Sequence, residues 1–128
     1  MRYLLDTHAW LWAVNGNDRL PERVKMLFRE TPMADLALAD ISVLEVARKA
    51  ATGQLAITGD ALAWLRTNSQ AVRVLPISAE IAFRSTQLDW EHKDPADRLI
   101  VATALEHKLT LITNDQEITR WGGVKVLW

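Results

Sequence analysis

The stretch DPADRLIVATA, residues 94–104, places two acids at the head of a helix whose later residues are too apolar to face water. Pro95 suits the first position of a helix, where its missing N–H costs nothing, and Asp94 before it can accept a hydrogen bond from the free amides of the first turn. Apolar residues lie three, four, seven and eight positions after Asp97, so they share its face of the helix. The stretch therefore predicts a helix that begins at Pro95, with Asp97 at the rim of the core.

The composition is that of an ordinary water-soluble protein. The 128 residues are 49% hydrophobic and 24% charged, which excludes a disordered chain and is enough for one domain, residues 1–128, with a proper core. No apolar run approaches the roughly 20 residues of a bilayer span, and the acid at position 6 comes too early for a signal peptide. We therefore expect a cytoplasmic protein that is not inserted in a membrane.

The absence of cysteine limits the chemistry that the chain can carry. It excludes disulfides, thiolate metal sites and cysteine nucleophiles, and it agrees with a reducing compartment. Any metal must be held by oxygen or imidazole. The net charge of −1 argues against a broadly basic surface for nucleic acid, although it leaves room for a local basic rim or a groove in a dimer.

Strand and helix patterns alternate along the chain. Short apolar runs predict strands at 3–5, 36–41, 72–75, 109–113 and 124–128. Helical spacing and capping residues predict helices at 7–14, from 21, 42–51, from 60, 78–88 and from 95, with a short helical turn after 115. Because parallel strands need crossovers and helices provide them, this order predicts a three-layer α/β domain with a parallel sheet.

Four acids are predicted to meet at one edge of that sheet. Asp6 directly follows the first strand, Glu45 lies in the first turn after the second, Asp97 opens the helix described above, and Asp115 follows the fourth strand. Ligands in such folds gather beyond the carboxyl ends of the strands. Clustered carboxylates repel and raise one another's pKa unless a cation stands among them. Oxygen ligands without sulfur or paired histidines favour Mg²⁺ or Mn²⁺, as one or two ions, which can activate water and neutralise charge on a phosphodiester.

Each acid also has a purely structural interpretation. Asp94 and Asp97 can cap the helix and complement its dipole, and Asp115 can start a turn or cap the helical turn after it. Glu45 stands three residues after Ser42, the spacing of a capping box that would start a helix at the serine. Asp6 has no obvious cap to make, so a functional role is favoured there.

Other polar residues have less specific patterns. His8 and His92 lack the repeated spacing of a zinc site, so we interpret His8 as helix packing and His92 as a loop residue. Four cations are candidates for contacts with backbone phosphates, with solvated surface charge as the alternative: Arg48, Lys49, Lys93 and Arg98.

Taken in order, these motifs closely resemble the PIN-domain nucleases, in particular the branch related to VapC-type toxins. The resemblance covers nearly the whole chain, and its motifs are Leu5-Asp6-Thr7-His8, Ser42-x-x-Glu45 with Lys49, His92-x-Asp94-Pro95-x-Asp97-Arg98 and Thr113-x-Asp115. It implies an α/β/α fold with a five-stranded parallel sheet and Mg²⁺-dependent endoribonuclease activity. The implied acidic constellation is Asp6, Glu45, Asp97 and Asp115, supported by the motif residues Thr7, Asp94, Arg98 and Thr113.

The resemblance also implies partners and a mechanism. A toxin-like enzyme needs an inhibitor, which implies an antitoxin that covers the acidic edge, and the nuclease itself is expected to be a homodimer. Our hypothesis is in-line attack of a metal-bound water on an RNA phosphodiester, with Asp6, Asp97 and Asp115 holding metal. Glu45 would bind the metal through water or orient the nucleophile. Single-stranded or looped RNA is the expected substrate because its bases are accessible.

Two other functions fit acids at strand ends. One is a receiver-like domain, in which an aspartate accepts phosphate beside Mg²⁺ and Glu45 is not required. The other is a non-catalytic α/β binding module in which the acids serve only as helix caps.

Overall fold

Five short parallel strands form the centre of the fold in the computed structural model, which describes residues 1–128. They are β1 (Tyr3–Leu5), β2 (Leu36–Ala39), β3 (Arg73–Leu75), β4 (Thr110–Ile112) and β5 (Val126–Leu127). Their order in the sheet is β3-β2-β1-β4-β5, with every neighbouring pair parallel. All four residues of β2 are buried, as expected for a strand covered on both faces. The predicted five-stranded parallel sheet is confirmed.

Seven helices connect the strands. They are α1 (Thr7–Asn15), α2 (Glu22–Glu30), α3 (Asp40–Ala51), α4 (Ala61–Gln70), α5 (Ala79–Gln87), α6 (Pro95–His107) and α7 (Gln116–Trp121). A 3-10 turn, Met33–Asp35, precedes β2. The helix predicted from residues 94–104 is α6, with Pro95 in its first turn and Asp94 as its N-cap. No helix combines the length and the apolar character needed to cross a membrane.

Helices cover both faces of the sheet, so two cores form. Successive residues of a strand point to opposite faces; Leu4 accordingly lies in one core and Leu5 in the other. The first core takes the apolar face of α6, with Val101 fully buried. The second takes α1, with Trp10 fully buried. This arrangement confirms the three-layer α/β/α architecture.

The predicted boundaries around Ser42 are wrong, and the last strand is shorter than the predicted 124–128. Strand β2 ends at Ala39 rather than at residue 41, and α3 begins at Asp40, two positions before the predicted start at Ser42. Ser42 is therefore inside the helix and fully buried, and its hydroxyl lies 2.9 Å from the hydroxyl of Thr7 instead of capping the helix. The Ser42-x-x-Glu45 pattern is not a capping box, and Glu45 lies in the second turn of α3 rather than the first.

Candidate active site

The four predicted acids line one cleft of about 390 Å³ at the carboxyl ends of the central strands. Strands β1 and β4 are neighbours in the sheet, so the residues that follow them come together there, and α1, α3 and α6 each begin near the same edge. The cleft is lined by Asp6, Thr7, His8, Trp12, Arg19, Glu45, Asp94, Asp97, Ile100, Asn114 and Asp115. The structure thus brings four carboxylates together from four separate segments of the chain, with Asp94 as a fifth.

Asp6 is held at the base of the cleft by two hydrogen bonds. Its Oδ1 accepts from the backbone N–H of Ala9 at 2.7 Å, which makes it the N-cap of α1. Its Oδ2 accepts from the hydroxyl of Thr113. Burial raises the pKa of Asp6, and the nearby charge of Asp115 raises it further, while the two hydrogen bonds and His8 act in the opposite direction. The expectation that Asp6 has no cap to make was wrong, because it caps a helix and lines the cleft at once.

Asp97 lies at the rim of the core, with its side chain 24% exposed. Its Oδ2 is 2.7 Å from Nε2 of His92. Burial raises the pKa of Asp97, and the charges of Asp94 and Asp115 add to the rise, whereas the hydrogen bond to His92 lowers it. A carboxyl group with a raised pKa is one whose negative charge is poorly compensated in the metal-free protein.

The remaining acids each keep one oxygen free. Asp94 caps α6 through Oδ1, which accepts from the N–H of Ala96 at 3.0 Å. Asp115 caps α7 through Oδ1, which accepts from two backbone amides of that helix. Glu45 accepts from the hydroxyl of Thr7 at 2.6 Å through Oε1. The second carboxylate oxygen of all three makes no hydrogen bond within the protein, so each can bind a cation.

This donor set fits a hard divalent cation. It consists of carboxylates, and Arg19 is the one lysine or arginine among the lining residues. The N-termini of α1 and α6 point partial positive charge at the cleft, which offsets only part of the negative charge of five acids. His92, Asp94 and Asp97 have potential ligand atoms within 4.8 Å of one another. The four predicted acids line the same cleft but do not form a group that tight. Oxygen-rich sites of this kind suit Mg²⁺ or Mn²⁺.

The predicted cations do not all face the cleft. The guanidinium of Arg98 donates to the backbone carbonyls of Ser85, Leu88, Trp90 and His92 at 2.7–3.0 Å, which uses four of its five N–H groups. The expectation that Arg98 contacts phosphate is therefore wrong, since it organises the loop before α6. Arg48 and Lys49 line a small hollow of about 230 Å³ that shares Glu45 with the cleft. Lys93 is exposed.

Three residues near the acids were missed or misread from the sequence. His8 is exposed and lines the cleft, tilted against Trp12, rather than packing inside a helix interface. His92 is in a loop, as expected, but bonds directly to Asp97. Its position five residues before that acid was the available signal. Arg19, whose guanidinium lies 5.6 Å from the ring centre of Trp12, had no sequence signal because nothing local links it to the acids.

The chain is similar to known proteins along almost its entire length. The profile of the PIN domain family matches residues 3–124. Ribonuclease VapC22 of Mycobacterium tuberculosis is 34% identical to this chain over 119 residues, which is 90% of this chain and 88% of that protein.

Solved structures show the same fold. A toxin-antitoxin complex from Klebsiella pneumoniae contains a chain that is 25% identical, with a TM-score of 0.72 over 98% of this chain and 96% of that one. DNA-bound VapBC from Salmonella typhimurium contains a chain with a TM-score of 0.76 over 99% and 97% of the two chains, and at 20% identity this likeness concerns the fold alone.

Proposed function

Because the chain belongs to the PIN-domain family, in its VapC branch, we propose that it is a Mg²⁺-dependent endoribonuclease that acts as the toxin of a toxin-antitoxin pair. The observation that carries the proposal is the convergence of Asp6, Glu45, Asp97 and Asp115 on one cleft. Two of these carboxyl groups have raised pKa values in the metal-free protein. Such a site gains most from a divalent cation.

In the proposed reaction, Asp6, Asp97 and Asp115 would hold the cation. When bound there, Mg²⁺ would activate a water molecule and neutralise charge on the phosphodiester. Glu45 has one carboxylate oxygen bonded to Thr7 and one free, so it can bind the attacking water and accept its proton. The water oxygen then forms a bond to phosphorus, the bond to the leaving sugar oxygen breaks, and that oxygen takes a proton from solvent. Arg19 lines the cleft and would contact a phosphate of the RNA there.

A cleavage assay with matched variants tests the activity. The purified chain should cut a mixed pool of single-stranded RNA in Mg²⁺ and should leave it intact in EDTA. Asp97→Asn should abolish cleavage. Asp35→Asn should retain it, because Asp35 is an exposed acid in the 3-10 turn away from the cleft. Cleavage that persists in EDTA or in Asp97→Asn would rule out the proposed site.

Two partners follow from the family. We infer an antitoxin protein that covers the acidic cleft, since relatives of this fold are found in toxin-antitoxin complexes, and we infer that the nuclease forms a homodimer. Co-purification with the product of a neighbouring small gene, together with loss of RNA cleavage in that complex, would support the first inference. A monomeric mass in light scattering at micromolar concentration would contradict the second.

The cap interpretation is the alternative that the structure keeps open, because Asp6, Asp94 and Asp115 do cap helices. Asn caps a helix about as well as Asp, so in a binding module Asp→Asn replacements at these three positions change the free energy of unfolding by only a few tenths of a kcal/mol. The stability of such a module would also not respond to Mg²⁺. In a receiver-like domain, a small phosphodonor would label one aspartate while RNA stayed intact, and Glu45 would have no reason to lie in the cleft.

A further inference from the structure

Three aromatic rings stack beside the acidic cleft. The ring centroids of His92 and Trp90 lie 4.6 Å apart, with 23° between the ring planes. The ring centroids of Trp90 and Trp121 lie 5.0 Å apart, with 21° between the ring planes. We refer to Trp121, Trp90 and His92 as the aromatic stack. At its cleft end, Nε2 of His92 reaches Oδ2 of Asp97.

The far end of the aromatic stack is fixed. Nε1 of Trp121 donates to the backbone carbonyl of Asp89 at 2.7 Å. The benzene ring of Trp121 lies against Gly123, where an added Cβ would come within 2.2 Å of it. This close approach needs glycine at position 123, because any side chain there would push the indole away.

The backbone that carries His92 is fixed as well. The guanidinium of Arg98 donates to the carbonyls of Trp90 and His92 at 2.7 and 3.0 Å, and to that of Leu88 at 2.9 Å. Arg98 is one residue after Asp97 on α6, so the helix that carries the acid also holds the loop that carries the histidine. Helix α6 therefore fixes both partners of the His92–Asp97 hydrogen bond.

The aromatic stack meets the acidic cleft through His92. Trp90 is stacked with both His92 and Trp121. The atom of the stack that contacts an acid of the cleft is Nε2 of His92.

We propose that His92 is a positioning residue for Asp97, held in place by the aromatic stack, so that Oδ1 of the carboxylate is oriented for the divalent cation. Oδ1 makes no hydrogen bond within the protein, while Oδ2 is taken by Nε2 of His92. Hydrogen bonds to the second oxygen of a ligating carboxylate orient it, and their loss typically weakens metal binding about 10- to 100-fold. This inference rests on the metal site of the proposed function but not on RNA being the substrate.

Metal affinity provides the test, measured by Mn²⁺ titration with electron paramagnetic resonance. His92→Phe keeps a stacking ring and removes the hydrogen bond, so we expect Mn²⁺ to bind about 10- to 100-fold more weakly. His92→Gln restores a donor and should recover part of the affinity. His107→Phe, at the exposed end of the same helix, is the matched control and should bind Mn²⁺ like the wild type.

A second variant disturbs His92 indirectly, by changing the packing of Trp121 at the opposite end of the aromatic stack. Gly123→Ala displaces Trp121 and should also weaken Mn²⁺ binding, with the near-ultraviolet circular dichroism of the tryptophans altered. Unchanged affinity in both His92→Phe and Gly123→Ala would overturn the positioning role. Wild-type protein that binds no Mn²⁺ would overturn it together with the metal site. Wild-type protein that binds Mn²⁺ but cuts no RNA would overturn only the proposed function, and the affinities of the variants would still decide the role of His92.

Discussion

At the scale of single residues, Asp6 and Asp115 each cap a helix and line the cleft. The sequence presented cap and ligand as alternatives for Asp115 and indicated no cap for Asp6, but one carboxylate can serve both roles. For Asp115 the cap uses Oδ1 and leaves Oδ2 free. Sequence patterns therefore located the acids correctly, but could not separate cap from ligand, because that distinction depends on what approaches the second oxygen from distant parts of the chain.

The raised pKa values of Asp6 and Asp97 predict a dependence of stability on pH. A carboxyl group whose pKa is higher in the folded protein favours folding in its neutral form. Ionisation of such a group lowers the free energy of unfolding. This loss is absent below the ordinary pKa of 3.8, grows as the pH rises above it, and is complete above the raised pKa. In EDTA, we expect Asp97→Asn to melt several degrees above the wild type at pH 7 and at the same temperature near pH 3. Thermal melts across this range, monitored by circular dichroism, test the prediction, and a pH-independent difference would contradict it.

We expect Arg98→Lys to destabilise the protein strongly, although the substitution keeps the positive charge. Lysine has three donors on one nitrogen and cannot reach four carbonyls that surround a planar guanidinium. We expect Arg98→Lys to lower the free energy of unfolding by about 2–4 kcal/mol, measured by urea denaturation.

Arg84→Lys is the matched control for this substitution. Arg84 forms a partly exposed ion pair with Glu106, and such pairs contribute less than about 1 kcal/mol. Equal losses in the two variants would mean that the four hydrogen bonds of Arg98 add no special stability.

At the scale of elements, α1 and α3 meet through a polar contact between Thr7, Ser42 and Glu45. The hydroxyl of Thr7 lies 2.9 Å from that of Ser42 and 2.6 Å from Oε1 of Glu45. The predicted start of α3 was wrong because Ser42 contacts Thr7 of α1 instead of capping α3. A serine three residues before a glutamate looks the same whether it caps a helix or pairs with another element, and the deciding partner, Thr7, is 35 residues away from Ser42.

Thr7→Val removes this contact and keeps the shape of the side chain. The change leaves Ser42 buried without its partner, so we expect a loss of about 1–3 kcal/mol in the free energy of unfolding. RNA cleavage should fall as well, because Glu45 loses the hydrogen bond that orients it. Thr86→Val, at an exposed hydroxyl bonded to a carbonyl of its own helix, should change stability by less than about 0.5 kcal/mol. Wild-type stability in Thr7→Val would show that the two helices are held together by apolar packing alone.

At the scale of the whole molecule, the fold was accessible from sequence because hydrophobic pattern and strand–helix alternation are properties of the entire chain. Five strands, their parallel direction and the edge at which the acids meet follow from that pattern, whereas the order of the strands in the sheet was not predicted. The sequence could not place His92 against Asp97, or turn Arg98 away from solvent, since both contacts depend on how a loop without regular structure is packed. The least predictable part of the site is thus the part built from residues 88–94.

Mg²⁺ should stabilise the whole protein if the cleft binds it. A ligand at 100 times its dissociation constant adds about 2.7 kcal/mol, or roughly 10 °C in Tm for a chain of this length. We expect this increase in differential scanning fluorimetry with wild type, and none with Asp97→Asn. NaCl at equal ionic strength controls for general screening. Identical melting temperatures with and without Mg²⁺ in the wild type would refute the metal site.

The hydrogen bond between Thr113 and Asp6 joins residues 107 positions apart. Pairing of β1 with β4 is needed to form it, and contacts between such distant segments form late in folding. A polypeptide still being synthesised, with β4 not yet emerged from the ribosome, holds Asp6 and Glu45 without Asp115. The acidic cleft is therefore complete only in a molecule whose first and fourth strands have paired, so a chain truncated before β4 lacks both Asp115 and the hydroxyl of Thr113 that holds Asp6.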